Sequence, residues 1–308
     1  MGDARLSFGI VMLLQTGTGL SVNAFLLLFY ARVISTSHRL SSSDLIQAQL
    51  PLANIVILLT GAVPDTLSFW ELRIFLDDVL CKLTMYLYRV ARGLAICTVC
   101  LLSVFQAITI SPSTARWARI KVKLPKCFLP ACILSWVLNL LINVGTAMYT
   151  RGPANTTFHA TYDLKYCTLA PVSTAVMLVN TILYLASDLS LVGLMSLASG
   201  YMVFVLHRHH RRVRHLHGPD RSPGAMPEVR AAKRVVALAT LFVLLYGRQS
   251  VMLSILLNVK GYSLNVLNSH LVWTFAFSVF SPFLMIGSDQ RVRSFWKRES
   301  TISNLDPS

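Results

Sequence analysis

LCKLTMYLYRVARGLAICTVCLLSVFQAITI, residues 80–110, carries three cations (Lys82, Arg89 and Arg92) and no acid. About 20 residues of helix cross the roughly 30 Å of hydrocarbon in a bilayer, so this stretch is long enough to span one. Comparable runs occupy Ser7–Tyr30, Asp44–Val63, Phe128–Tyr149, Val172–Leu206, Ala231–Leu257 and Val266–Ile286, and with Leu80–Ile110 they make seven. The 308 residues are 54% hydrophobic and only 13% charged, with a mean hydropathy of +0.59. Soluble domains carry about a quarter of their residues as charges, so most side chains here belong in an apolar medium larger than one protein core. Backbone amides in lipid must be satisfied within their own segment, which leaves helices as the reading for runs of this length. No alternating strands of barrel type occur. The expectation is an all-α membrane protein, one seven-helix domain over residues 1–308, with a tail from 287 to 308.

Basic residues set the orientation, because Lys and Arg are retained on the cytoplasmic side. With the N-terminus outside, the cytoplasmic segments hold two (Arg32, Arg39), five (Arg116, Arg119, Lys121, Lys123, Lys126), eight (Arg208 through Arg234) and four (Arg291, Arg293, Lys297, Arg298), which is 19 of 28. The exterior segments hold six, and three lie within the spans. The expected topology is N outside and C inside. The sequon Asn155-Thr156-Thr157 then falls in an exterior loop. Cys81 and Cys167 lie on that side too and can reach one another in an oxidising compartment. Cys97, Cys100, Cys127 and Cys132 are expected to be packed thiols. The first span has no small-residue cleavage site after it and reads as a retained helix. A myristoylation start fails at Leu6, where Ser or Thr is needed.

HRHHRRVRHLH, residues 207–217, packs four arginines and five histidines into eleven positions. Interleaved arginines oppose a metal cation, and nucleic-acid binding would need a basic domain that this chain lacks. The stretch therefore reads as a cytoplasmic loop resting on anionic lipid. A sharper version has helix five running past the membrane to offer a basic face to a cytoplasmic partner. Gln106, Arg116, Lys121, His207, Arg211, Arg212, Arg214 and Arg234 are the candidate contacts, although topology alone accounts for their charge. After helix seven, Ser288-Asp289 can cap a short amphipathic interfacial helix with Val292, Phe295 and Trp296 on one face. Pro51 and Pro282 are expected to kink helices two and seven, where neighbouring groups must satisfy the freed carbonyls.

Seven helices, a short exterior N-terminus and a linking cysteine pair suggest a G-protein-coupled receptor. "QLPLAN" in span two, "CK" at Cys81 with "YRVARGLAICTVCLLSVFQAITISP" up to Pro112, and "RW" at Arg116-Trp117 narrow it further. With "YC" at Tyr166-Cys167, "LASGYMVFVLHRHHRRVRHLH", "PEVRAAKRVVAL" and "SPFLMIGSD", the chain resembles the vomeronasal type-1 receptors over almost its whole length. The resemblance implies a chemosensory receptor for small volatile or steroid-like pheromones, coupling to a heterotrimeric G protein of the inhibitory (Gi/Go) class. Gln106 stands where the larger rhodopsin-like class has the Arg of its acidic-Arg-aromatic triplet, and Ser281-Pro282 where that class has Asn-Pro. Helix six has no proline between Ala231 and Leu257. Any activation switch must use other contacts.

The exterior segments are too short to fold a binding domain, so a ligand should enter the bundle, which favours a small, mostly apolar molecule. Ionisable residues inside a membrane are functional candidates. Arg92 lies about three turns below Cys81 on one face, shared with Met85 and Tyr88, while Arg89 is turned towards a neighbouring helix. Asp188 on helix five lies at comparable depth, and Arg248 on helix six is nearer the outer surface. Met85, Tyr88, Arg89, Arg92, Tyr184, Asp188 and Arg248 are therefore the ligand candidates, with Arg92 and Asp188 expected to pair. Tyr86 and Tyr246 are further candidates for pocket walls. No metal-ligand spacing, nucleophile with a base, or phosphate loop is visible, so neither enzyme chemistry nor a cofactor is expected. A bitter-taste-like receptor, a small-molecule transporter and a non-sensing helper within the same family are the competing readings.

Overall fold

The computed structural model describes residues 2–36, 42–70, 77–112, 115–152, 163–164, 167–169, 173–217, 227–258, 264–289 and 291–292. Ten α-helices are present among them: α1 Gly2–Thr36, α2 Ser42–Ile57, α3 Val63–Phe69, α4 Asp78–Ile110, α5 Ala115–Ile142, α6 Val144–Tyr149, α7 Thr174–His217, α8 Pro227–Asn258, α9 Leu264–Thr274 and α10 Ala276–Ser288. Six stretches of helix are long and apolar enough to cross a membrane: Leu6–Thr36, Asp44–Leu67, Asp78–Ile110, Lys126–Tyr149, Leu178–Arg208 and Val266–Gly287. α8 packs among them, against α4, α7 and α10.

Several expected runs are interrupted helices. A π-helical turn at Leu58–Ala62 joins α2 to α3, Asn143 divides α5 from α6, and Phe275 divides α9 from α10. The break in helix seven therefore precedes Pro282, and α10 runs on through that proline. The reason is a repair supplied by α1. Proline has no N–H for the carbonyl four residues earlier, which here belongs to Ser278. Asn23 Nδ2 donates to that oxygen at 2.9 Å. Asn54 Nδ2 in turn donates to Asn23 Oδ1 and to Ser281 Oγ, both at 3.0 Å. These amides tie α1, α2 and α10 together at fully buried positions.

α4 is the central helix, touching α2, α5, α6, α7 and α8. Its buried positions Ala91, Leu94, Ala95, Thr98, Val99, Leu102 and Ser103 recur at helical spacing, and small residues among them let neighbours approach closely. The buried Met12, Leu26, Leu50, Leu94, Val99, Met195, Leu238 and Met285 belong to one core drawn from α1, α2, α4, α7, α8 and α10. From Leu134 to Thr150, the chain through α5 and α6 is polar inward and apolar outward. Ser135, Asn139, Asn143, Thr146 and Thr150 are buried, while Leu134, Val137, Leu138 and Leu141 are exposed. That inversion suits lipid, where buried polar groups need internal partners and apolar side chains can face out.

Among the described residues three short strands are present: β1 Thr150–Arg151, β2 Asp163–Leu164 and β3 Cys167–Leu169, antiparallel in the order β1-β3-β2. They hold Cys167 against the start of α4, where it is bonded to Cys81 with a Cα–Cα separation of 5.8 Å. Asp77 caps α4 by accepting from Leu80 N at 2.8 Å. Asp78 accepts from Gly152 N at 3.0 Å, tying the end of β1 to the same turn. Of the remaining cysteines, Cys100 and Cys132 are buried and Cys97 is half-buried. Cys127 is exposed, contrary to expectation, because it lies on the outward side of α5 while the next residue, Phe128, faces in.

Candidate functional site

The charges inside the bundle gather around α4, α7 and α8. Arg92 on α4 lies over the Tyr246 ring of α8, 5.0 Å from its centroid, and the Tyr246 hydroxyl donates to Asp188 Oδ2 on α7. Arg92 and Asp188 form no ion pair within 4 Å, so the expected direct pair is relayed by Tyr246. A guanidinium over a phenol ring is attracted by about 0.5–1 kcal/mol at an exposed site and by about 2 kcal/mol or more at a desolvated one. The other two arginines in the spans are held in the same way. Arg89 sits 4.9 Å over the Tyr184 ring, and Arg248 4.7 Å over Trp273. Tyr184 is fixed by a 2.9 Å hydrogen bond to Thr146 Oγ1, and Arg248 Nη2 donates to Ser269 Oγ at 3.5 Å.

A cavity of about 50 Å³ opens beside this relay, between α2, α4, α8, α9 and α10. Tyr88, Arg92 and Tyr246 supply its polar wall, with Trp273, Phe242 and Phe277 among its aromatic lining. Two of the ligand candidates, Tyr88 and Arg92, thus line it, along with Tyr246. Met85 packs instead against the Cys81–Cys167 disulfide, and Arg89 with Tyr184 lies on the α7 side. Asp188 touches the cavity wall only through Tyr246. Tyr86 faces α5, donating to the Leu140 carbonyl at 3.0 Å. Sequence reasoning missed Trp273, Gln249 and Phe277 as lining residues; single aromatics and amides on a hydrophobic helix give no signal of which neighbour they face.

The π turn shapes this wall. Gly61 lies so close to Tyr88 and Phe275 that an added Cβ would sit 2.9 and 2.7 Å from their rings. Those two rings meet edge to face, centroids 6.4 Å apart. On the side towards the bundle's basic end, Tyr246 stacks on Phe242 at 5.5 Å and 15°, and Phe242 meets Phe277 edge-on at 5.0 Å.

At the basic end the expected contact residues separate into two groups. α7 stays helical through His217, eleven residues beyond the expected end of its span, and His207 and Arg211 are exposed on it. Arg212 and Arg214 lie on that helix and Arg116 on α5, but their side chains fall outside the described residues. The second group is covered: Gln106 is buried, and Lys121 donates to the Ser111 carbonyl at 2.7 Å. Arg234 is buried beside Asp289, 3.7 Å from Oδ2. Asp289 Oδ1 accepts from Arg291 N at 2.9 Å, as a helix cap would. Phe295 and Trp296, on the expected interfacial helix, lie outside the described residues, as does Asn155.

The vomeronasal organ pheromone receptor family model matches residues 6–298. Vomeronasal type-1 receptor 4 of Homo sapiens is 38% identical over 307 residues, covering 97% of this chain and all of that protein. Vomeronasal type-1 receptor 1 of Gorilla gorilla gorilla is 34% identical over 96% of this chain and 84% of its own length. An olfactory receptor class A-like protein 1 of Danio rerio is 32% identical, covering 93% and 90%.

Proposed function

The chain belongs to the vomeronasal type-1 receptor family, and from that premise we propose that it is a ligand-gated chemosensory receptor whose ligand enters the cavity bounded by Arg92, Tyr88 and Tyr246. The family is one of multi-pass membrane receptors of the G-protein-coupled class, not of enzymes. In this reading α8 also spans the membrane, sixth in chain order, and brings the spans to seven; the N-terminus and the Cys81–Cys167 bond lie outside, and the basic end faces the cytoplasm. The segment after α10 rests in the interface, and Asn155 carries a glycan. The ligand is a small volatile or steroid-like pheromone, and the partner is an inhibitory-class (Gi/Go) heterotrimeric G protein.

The observation that supports the reading best is the Arg92–Tyr246–Asp188 relay beside a cavity lined mainly by apolar and aromatic side chains. A polar ligand group reaching Arg92 or Tyr246 would compete for contacts that tie α4, α7 and α8 together. Binding would then change how three helices are held, which is what a receptor needs and a passive packing contact does not. Ligand pockets usually enclose about 300–1,000 Å³, so a ligand of that size must also part α4, α8 and α9–α10. Gln106, Arg116, Lys121, His207, Arg211, Arg212 and Arg214 are the proposed partner contacts, and Arg234 joins them only if α8 moves.

The test is agonist-evoked nucleotide exchange in cells displaying the chain at their surface. Volatile and steroid-like compounds are screened against inhibitory-class and other G proteins. At least one compound is expected to raise exchange on an inhibitory-class protein. Accumulation of a compound inside the cells with no exchange on any G protein would favour a transporter and overturn the proposal.

A further inference from the structure

Four charged side chains at the basic end form a neutral chain across three elements. Arg291, just past α10, grips Asp44 of α2 with both arms, Nη2 to Oδ1 at 2.7 Å and Nη1 to Oδ2 at 3.3 Å. Arg291 Nη2 also reaches Asp289 Oδ2 at 3.4 Å, and that same oxygen takes Arg234 of α8 at 3.7 Å. Tyr30 of α1 lies within electrostatic reach of all four and donates to Gln47 Oε1 at 2.9 Å. Asp44, Arg234 and Asp289 are each at least 90% buried, whereas Arg291 is half exposed.

The links are unequal. The Arg291–Asp44 contact is bidentate and short, the geometry of a strong charge-assisted pair. It anchors the segment after α10 to α2 and, through the Asp289 cap, fixes the carboxylate that faces α8. The Arg234–Asp289 contact is a single long approach between two desolvated side chains. Among the described side chains, the first turns of α8 bury Ala232 and Val235 in one cluster with Met202, Leu102 and Phe128, and Leu238 and Ala239, one turn on, join the main core. The apolar residues nearest this end of α8 are small, and the ion pair is the charged tie of its first turns towards the end of α10. Packed helix interfaces can exchange between two discrete arrangements, and small helix shifts suffice to switch them.

We propose that Arg234 and Asp289 form a latch that holds the basic end of α8 closed against the end of α10, with Arg291–Asp44 as its fixed anchor. Closed, the latch buries Arg234; open, it releases the end of α8 and turns Arg234 towards the exposed basic face that already carries His207 and Arg211. The latch supplies a restraint on the resting form without the acidic-Arg triplet, whose arginine position is here Gln106. The link to signalling rests on the receptor reading above, whereas the latch itself is a property of the helices.

Spin labels on Cys127, exposed at the basic end of α5, and on Lys233→Cys, exposed on α8, report the separation of those helix ends. The full chain is held in lipid nanodiscs with Cys97 replaced by Ser. Arg234→Gln breaks the latch while leaving Asp289 its Arg291 partner, so no acid is stranded; Asp289→Asn breaks it from the other side, and Arg234→Lys keeps the charge. A longer-distance population is expected in the Gln and Asn variants and not in the Lys variant. Ligand-independent exchange in Asp289→Asn should rise by about fivefold or more, the lower end of ordinary coupling between two states. A longer-distance population without raised exchange leaves the latch standing and counts against G-protein coupling. Distance distributions unchanged in both latch-breaking variants overturn the latch, whatever the coupling.

Discussion

Tyr246 concentrates the chemistry of the bundle in one side chain. Its ring faces Arg92 and stacks on Phe242, and its hydroxyl donates to Asp188. Tyr246→Phe removes only the last of these. A hydrogen bond to a charged group is worth about 1.5–3 kcal/mol in soluble proteins, but side-chain hydrogen bonds inside membranes average nearer 0.6 and reach about 1.7. A loss of about 1 kcal/mol is therefore expected, read as a lowered Tm of the detergent-solubilised chain, while the phenyl ring of the variant should keep the ring contacts. An unchanged Tm would mean that the hydroxyl bond carries no net stability. Arg92 and Asp188 were legible from sequence because charges are rare in hydrocarbon. Tyr246 was legible only as one aromatic among several. Which helix faces which across the bundle depends on rotations that no single segment encodes, so the relay through a third helix was hidden.

At the scale of elements, small residues and amides decide how closely the helices approach. Gly93 of α4 lies against Asn139 of α5, where an added Cβ would fall 1.7 Å from Oδ1. Asn139 cannot simply swing away, since its Nδ2 donates to Ser135 O at 2.8 Å and to Cys97 Sγ at 3.4 Å. Gly93→Ala should cost about 1–3 kcal/mol by overpacking, seen as reduced surface delivery and a lower Tm. Normal delivery with an unchanged Tm would contradict so tight an α4–α5 contact. Helix existence was readable from hydropathy, and the continuation of α7 as helix through His217 matches the expected extension of helix five beyond its span. Interruptions were less readable. Pro282 marks a real defect in the hydrogen-bond ladder, but Asn23 repairs it, and the break falls at Phe275. The π turn at Leu58–Ala62 and the three strands around Cys167 carried no local signal; both answer to packing partners far away in the chain.

For the whole molecule, the excess of cations at one end and the disulfide at the other argue for one orientation. An epitope tag at the N-terminus is expected to stain on intact cells, and one at the C-terminus only after permeabilisation. Asn155→Gln should abolish a glycosidase-sensitive shift in gel mobility. The reverse staining pattern would overturn the orientation and with it the assignment of His207–His217 to the cytoplasm. The family was legible from the block ending in Pro112 and its companions along the chain, and the match over residues 6–298 bears that out. Ligand identity was not legible, because a cavity lined mainly by apolar and aromatic groups selects by shape, and shape is a property of the assembled bundle.

The measurement that tests the central claim most directly is the concentration dependence of agonist-evoked exchange in wild type, Arg92→Ala and Tyr246→Phe at matched surface levels. If the ligand acts through the relay beside the cavity, Arg92→Ala should lose the response or need at least about tenfold more agonist, a difference of about 1.4 kcal/mol. Tyr246→Phe should shift in the same direction by less. Curves that superimpose on wild type in both variants would contradict the account and place the ligand elsewhere on the receptor.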